Sequence, residues 1–136
     1  MRVLFDTNIF LDLLMDRAPF SDAAEDLFSK VEDGTIKGYV SSTSITTIYY
    51  LVSKTLGAAR AREEVKKLLV LFEVAPVNRV VLESALMADF ADFEDAVIYE
   101  AACHVAAAAI VTRNQKDFKK SKLSVYSSTE LAGILR

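Results

Sequence analysis

Apolar residues along the chain fall into two rhythms. Short continuous runs, RVLF at 2–5, IKGYVSS at 36–42, EVAPV at 73–77, AAIVT at 108–112 and LSVYS at 123–127, have the length of strands buried on both faces. Between them the apolar positions recur at helical spacing, as in PFSDAAEDLFSKVEDG, where Phe20, Ala23, Ala24, Leu27, Phe28 and Val31 share a face and Gly34 is placed to end the helix. TNIFLDLLMD turns helical directly after the first strand, and TSITTIYYLVSKTLG and AARAREEVKKLLVLF read as two helices parted at Gly57. NRVVLESALMA, FEDAVIYEAACHVA and STELAGILR complete the set. Strands separated by helices require right-handed crossovers, so the predicted fold is a three-layer α/β/α sandwich around a largely parallel sheet. No repeat, linker or low-complexity segment divides the chain, which reads as one domain over 1–136.

Composition narrows the function classes. A hydrophobic fraction of 52% is ample for a core, yet no apolar run reaches the ~18 residues of a membrane span, and no export signal is read at the start. One cysteine, Cys103, and one histidine, His104, cannot build an internal disulfide or a zinc cluster, and a cytoplasmic protein is expected. The net charge of −3 argues against a general basic coat for nucleic acid, though not against a local basic patch.

In a parallel sheet the functional crevice lies beyond the carboxyl ends of the strands. Asp6 follows the first strand directly, and Asn114 and Asp117 lie just past AAIVT. DFADFEDAV carries Asp89, Asp92, Glu94 and Asp95 around a helix start, where Asp92 and Asp95 share a face if both lie in the first turn. Taken singly, Asp6 and Asp92 have an equally good reading as helix caps. Taken together, carboxylates at one edge repel one another unless a cation holds them, and all-oxygen ligands without thiolate or imidazole favour Mg²⁺ or Mn²⁺.

VLFDTNIFLDLLMDRAPF, SSTSITTIYYLVSK, DFEDAVIYEAA and IVTRNQKDFKKS, in this order and spacing, resemble the PIN-domain ribonucleases, among them the VapC-type toxins of toxin–antitoxin pairs, in a variant with a DFEDA segment. The resemblance implies a Mg²⁺- or Mn²⁺-dependent endoribonuclease acting on single-stranded RNA, a cognate antitoxin as partner and a homodimer built on the apolar helices around IYYLV. Carried over by position, it implies Asp6, Asp95 and, after TR, Asp117 or Asn114 as site residues; with Asp92 added from its place in the acidic cluster, the expected catalytic and metal-binding acids are Asp6, Asp92, Asp95 and Asp117. Asn8 is then expected to orient Asp6 and its turn, with Thr112 and Asn114 in support. Many members have a glutamate in the helix after the second strand where this chain has Thr47, and Asn114 is neutral where an aspartate is common. Asp92 is the candidate to supply the missing charge.

Arg113, Lys116, Lys119, Lys120 and Lys122 stand near the acidic edge, with Lys54, Arg60 and Arg62 elsewhere, and form a candidate track for phosphates beside a plain reading as solvated surface. Tyr49, Tyr50 and Tyr99 are read as core rather than base-stacking residues, and His104 and Cys103 as structural. Two other readings remain open. One is a PIN module that binds RNA or a protein without cutting. The other is a phosphatase resembling the haloacid-dehalogenase type, whose opening FDTN resembles, although Asn8 stands where that chemistry has its second aspartate.

Overall fold

The computed structural model describes residues 1–136. Five parallel strands, β1 (Arg2–Phe5), β2 (Lys37–Ser41), β3 (Glu73–Ala75), β4 (Ala109–Val111) and β5 (Ser124–Tyr126), form one sheet in the order β3-β2-β1-β4-β5. The helices are α1 (Thr7–Leu14), α2 (Ser21–Glu32), α3 (Ser42–Leu56), α4 (Ala58–Leu71), α5 (Arg79–Met87), α6 (Phe93–His104) and α7 (Ser128–Ile134). The strands and helices read from the apolar pattern are all present. A single 3-10 turn at Gln115–Phe118 adds to them, too short to leave a periodic signal. The whole sheet is parallel rather than largely so.

The alternation of side chains along each strand divides the core into two layers. Val3 and Phe5 of β1, with Val40, Ala109 and Val111, pack under α1 to α4 and α7, while Leu4, Tyr39 and Ile110 pack under α5 and α6. Phe5, Phe10, Phe28 and Phe72 pack edge to face or tilted at centroid distances of 4.9–5.8 Å in the first layer. Gly38 belongs to this packing, because a Cβ there would stand 2.6 Å from the Phe72 ring. Gly57 separates α3 from α4 at a φ of 94°, a conformation that costs glycine little.

The strand order reverses between β1 and β4, so their carboxyl ends frame the switch point where an open parallel sheet leaves a crevice. The chain is pinned there beyond the strands themselves. Asp6 N–H donates to the Val111 carbonyl at 3.0 Å, and Thr112 N–H donates to the Tyr126 carbonyl at 2.9 Å.

Candidate active site

Asp6 is the fixed point of the site. It caps α1, accepting from the Thr7 N–H at 2.8 Å through Oδ1, while Oδ2 accepts from the Thr112 hydroxyl at 2.7 Å. Both it and Thr112 are buried. Burial raises the Asp6 pKa; the two hydrogen bonds oppose that rise and the charge of Asp117 adds to it. The capping and functional readings of Asp6 are therefore one arrangement, since a capped carboxylate at a strand end is also an oriented one.

Asp92 behaves the same way at α6, where its Oδ1 accepts from Asp95 N–H at 3.1 Å. Asp95 is half-buried in the first turn, and its carboxyl is pushed up to about 7, first by desolvation, then by the charges of Asp92, Asp6, Asp117 and Glu94. Four acids from the first strand end, the α6 start and the turn after β4 thus act on one carboxyl. Asp117 itself is exposed, held by the 3-10 turn through its N–H to the Asn114 carbonyl at 2.9 Å.

Other expected site residues take different parts. Asn8 does not orient Asp6. Its Oδ1 accepts from Arg17 Nη1 at 3.4 Å, and the orienting bonds come from Thr7 and Thr112. Asn114 uses its N–H to bond the Thr112 hydroxyl at 3.1 Å, which completes a chain from the loop through Thr112 to Asp6. Thr47, half-buried on α3, donates to the Thr43 carbonyl one turn back at 3.3 Å. Three residues before it, Ser44 is buried with its hydroxyl 2.8 Å from that of Thr7, so this face of α3 meets the Asp6 turn.

Among the basic residues, Arg113 is not free to follow phosphates. Its Nη1 donates to Asp12 Oδ1 at 2.9 Å and its Cζ lies 3.8 Å from the centre of the Phe20 ring. Lys120 pairs with Asp89 at 3.3 Å and Arg60 with Glu64 at 3.0 Å. Lys116, Lys119 and Lys120 line a cleft of about 420 Å³ with Asp117, next to the acids. Tyr99 is buried and stacked on Phe90, as a core residue, whereas Tyr50 is 60% exposed, contrary to its reading as core. His104 bonds the Glu100 carbonyl of its own helix and lies on the surface. Asp12 is the residue that pattern reading passed over. It is 1% exposed on the core side of α1, its pKa raised by burial and opposed by Arg113 and Arg17.

The donor set suits a hard divalent ion: carboxylate oxygens only, with one of them strained upward by its neighbours' charge, a strain that a cation relieves. In this arrangement no three acidic, histidine or cysteine side chains stand close enough to hold one ion; Asp6 is fixed by its hydrogen bonds, Asp95 is half-buried, and Asp92 and Asp117 are exposed.

A five-stranded parallel α/β/α sandwich with an acidic edge at its switch point defines a class, and the comparisons place the chain within it. A family model described as PIN domain matches residues 2–116, and the chain belongs to the PIN-domain family. Solved structures share the fold at low identity. A chain of the VapBC2 complex of Rickettsia felis, bound to a promoter DNA fragment, is 17% identical with a TM-score of 0.69, over 93% of this chain and 98% of that one. A toxin–antitoxin complex from Klebsiella pneumoniae is 22% identical with a TM-score of 0.70, over 93% and 97%. VapC20 of Mycobacterium tuberculosis, a toxin that cleaves the sarcin–ricin loop, is 15% identical with a TM-score of 0.63, over 79% and 86%. No curated protein matches the chain in sequence. No helix is long and apolar enough to cross a membrane.

Proposed function

We propose that this protein is a Mg²⁺- or Mn²⁺-dependent endoribonuclease that hydrolyses single-stranded RNA, and that it is the toxin of a toxin–antitoxin pair. The observation that carries the reading is the convergence on Asp95 of charge from Asp6, Asp92 and Asp117, three segments brought together at the carboxyl edge of the sheet. Asp6 and Asp95 would hold the ion, with Asp92 and Asp117 as further ligands or as acceptors for a water. A divalent ion held there supplies positive charge against the scissile phosphate and its leaving oxygen. The chain's own contribution is orientation. Thr112 and Thr7 fix both oxygens of Asp6, and the Asp92 cap fixes the turn that carries Asp95.

The lysine cleft gives an acidic protein a local way to attract RNA. Lys116 and Lys119 have no ion-pair partner, and with Lys120 they stand beside Asp117, where the backbone on one side of the cleaved bond would lie. The antitoxin proposal draws on the toxin–antitoxin complexes that share this fold. The homodimer proposal draws on α3, which leaves Tyr50 and Leu56 exposed.

A second reading, a PIN module that binds without cutting, is favoured by one observation: at the α3 position where many members of the family have a glutamate, Thr47 offers a hydroxyl already bonded to its own helix. Purified protein with Mg²⁺ or Mn²⁺ and a single-stranded RNA separates the two. Cleavage that disappears in Asp6→Asn, a protein still folded, supports the nuclease; binding without cleavage at any metal concentration supports the module. Asp6→Asn removes a desolvated charge from a repulsive group but turns one accepting oxygen into a donating amide, so the two effects oppose each other and stability should stay within about 1 kcal/mol of wild type.

A further inference from the structure

Two clefts open on the carboxyl edge, one on either side of the loop that runs from Arg113 to Asp117. Lys116 and Asp117 line the lysine cleft, and Arg113 and Asn114 line the other, a cleft of about 440 Å³ completed by the α1–α2 connection and the start of α7. The loop between them is tied to the acidic centre on both sides: the Asn114 N–H bonds the Thr112 hydroxyl that holds Asp6, and Asp117 lines the lysine cleft.

We infer that the second cleft is a nucleobase subsite that reads one base of the RNA next to the cleaved bond; this rests on the ribonuclease reading above. Its surface is suited to stacking. The Arg113 guanidinium lies over the Phe20 ring, Phe20 is 39% exposed, and the Arg113 side chain is 30% exposed. The buried Asp12 carboxylate holds and neutralises that guanidinium, which leaves a polarisable platform rather than a free cation. Bases stack on such arginine and aromatic surfaces.

The rim is suited to reading a base edge. The Asn114 side-chain amide and the hydroxyls of Ser128 and Thr129 line the cleft and make no hydrogen bond within the protein, so donors and acceptors stand free beside the platform. A phosphate fits the cleft poorly. Its one cation is already paired, and the Glu130 carboxylate occupies the start of α7, accepting from Ser127 N–H at 2.9 Å and from the Gln115 amide at 2.7 Å. The phosphodiester backbone then belongs to the lysine cleft and the base to this one, an order that sets the path of the strand across the Arg113–Asp117 loop.

Two measurements test the inference. In the first, the Asp6→Asn protein is titrated with the four nucleoside 5′-monophosphates and with ribose 5-phosphate, followed by amide chemical shifts. At least one nucleotide should shift Phe20, Asn114 and Ser128, and ribose 5-phosphate should not. Equal shifts with ribose 5-phosphate, or none with any nucleotide, overturn the base subsite. In the second, cut sites are sequenced from a randomised single-stranded RNA. The wild type should prefer particular bases at one position, and Phe20→Ala should weaken that preference, because a base no longer held on the platform does not present its edge to the polar rim. Ser128→Ala with Thr129→Val, one half-buried and one exposed and neither making a side-chain hydrogen bond, should change which base is preferred and guards against a folding defect in Phe20→Ala. A cut pattern unchanged in both variants overturns the inference while leaving the nuclease intact. Nucleotide shifts in a protein that never cuts RNA would uphold the subsite and reject the nuclease.

Discussion

The Thr112 hydroxyl and Asp6 Oδ2, 106 residues apart in the chain, meet at 2.7 Å in the buried seam between β1 and β4. The same Thr112 oxygen accepts from the Asn114 N–H, so one side chain ties the first strand end to the loop that borders both clefts. Thr112→Val keeps the shape and removes both bonds. It should destabilise the protein by about 1–3 kcal/mol, the usual cost of stranding buried polar groups, and raise the Asp6 pKa further, because the lost bond favoured the carboxylate. Thr112→Ser should recover most of the loss. Urea denaturation of the three proteins checks this, and a Val variant as stable as wild type would show that the bond contributes nothing.

Asp95 sets a pH dependence of stability. Its carboxyl titrates at about 7 in the folded protein against 3.8 for the ordinary group, so between these values the folded state holds a proton that the unfolded chain has released. Stability of the protein without divalent ions should therefore fall as pH rises from about 4 to 7 through this group, the reverse of an ion-paired carboxylate. Half-burial and solvent screening reduce the effect to on the order of 1–2 kcal/mol. Asp95→Asn should flatten that part of the profile, and Mn²⁺ should reverse it by favouring the ionised form. Thermal melts at several pH values in chelator and in Mn²⁺ provide the measurement; identical profiles for wild type and Asp95→Asn would refute the shift.

The pattern of the sequence carried the architecture almost entirely. Strand runs, the break at Gly57 and the capping residues Asp6 and Asp92 are local signals, and each acts locally in the structure. The acidic edge was legible because a parallel sheet sends every strand end to one side. Asp12 was not legible. FLDLL reads as a helix with one polar position turned to water, and the cations that let this acid lie buried come from Arg17, beyond the helix end, and from the return of the chain at Arg113. Asn8 was misassigned for the same reason, since Arg17 claims it, and the pairing of Arg113 with Asp12 is likewise a contact that spacing does not encode.

Asp12 and Arg113 should behave as a coupled pair. Arg113→Ala strands a buried carboxylate whose Oδ2 already lacks a hydrogen-bond partner and whose remaining cation, Arg17, is at 3.8 Å. The expected loss is ~3 kcal/mol. Asp12→Asn removes the charge and should cost less, and in the double variant the loss should be smaller than the sum of the singles. A double-mutant cycle by chemical denaturation measures the coupling, and additive losses would mean that the 2.9 Å contact does not stabilise the fold.

Thr47 and Asp92 provide the sharpest test of how the site compensates for its missing glutamate. Ser44 touches Thr7, the residue whose N–H holds Asp6, and Thr47 lies one turn along the same face of α3. Thr47→Glu therefore carries a carboxylate toward the fixed acid and should tighten Mn²⁺ binding and raise cleavage at limiting metal. Asp92→Asn removes a charge while keeping a good helix cap, so a loss of activity there reports on the ion rather than on α6. If both positions serve one ion, Thr47→Glu should rescue part of the Asp92→Asn loss, and the two effects on metal affinity should be non-additive. Metal titrations of wild type, the two single variants and the double variant, read by isothermal calorimetry and by cleavage, decide the matter. Strict additivity would place Thr47 and Asp92 at separate sites, and the charge that replaces the glutamate would then have to come from Asp117 or Glu94, the remaining exposed acids acting on Asp95.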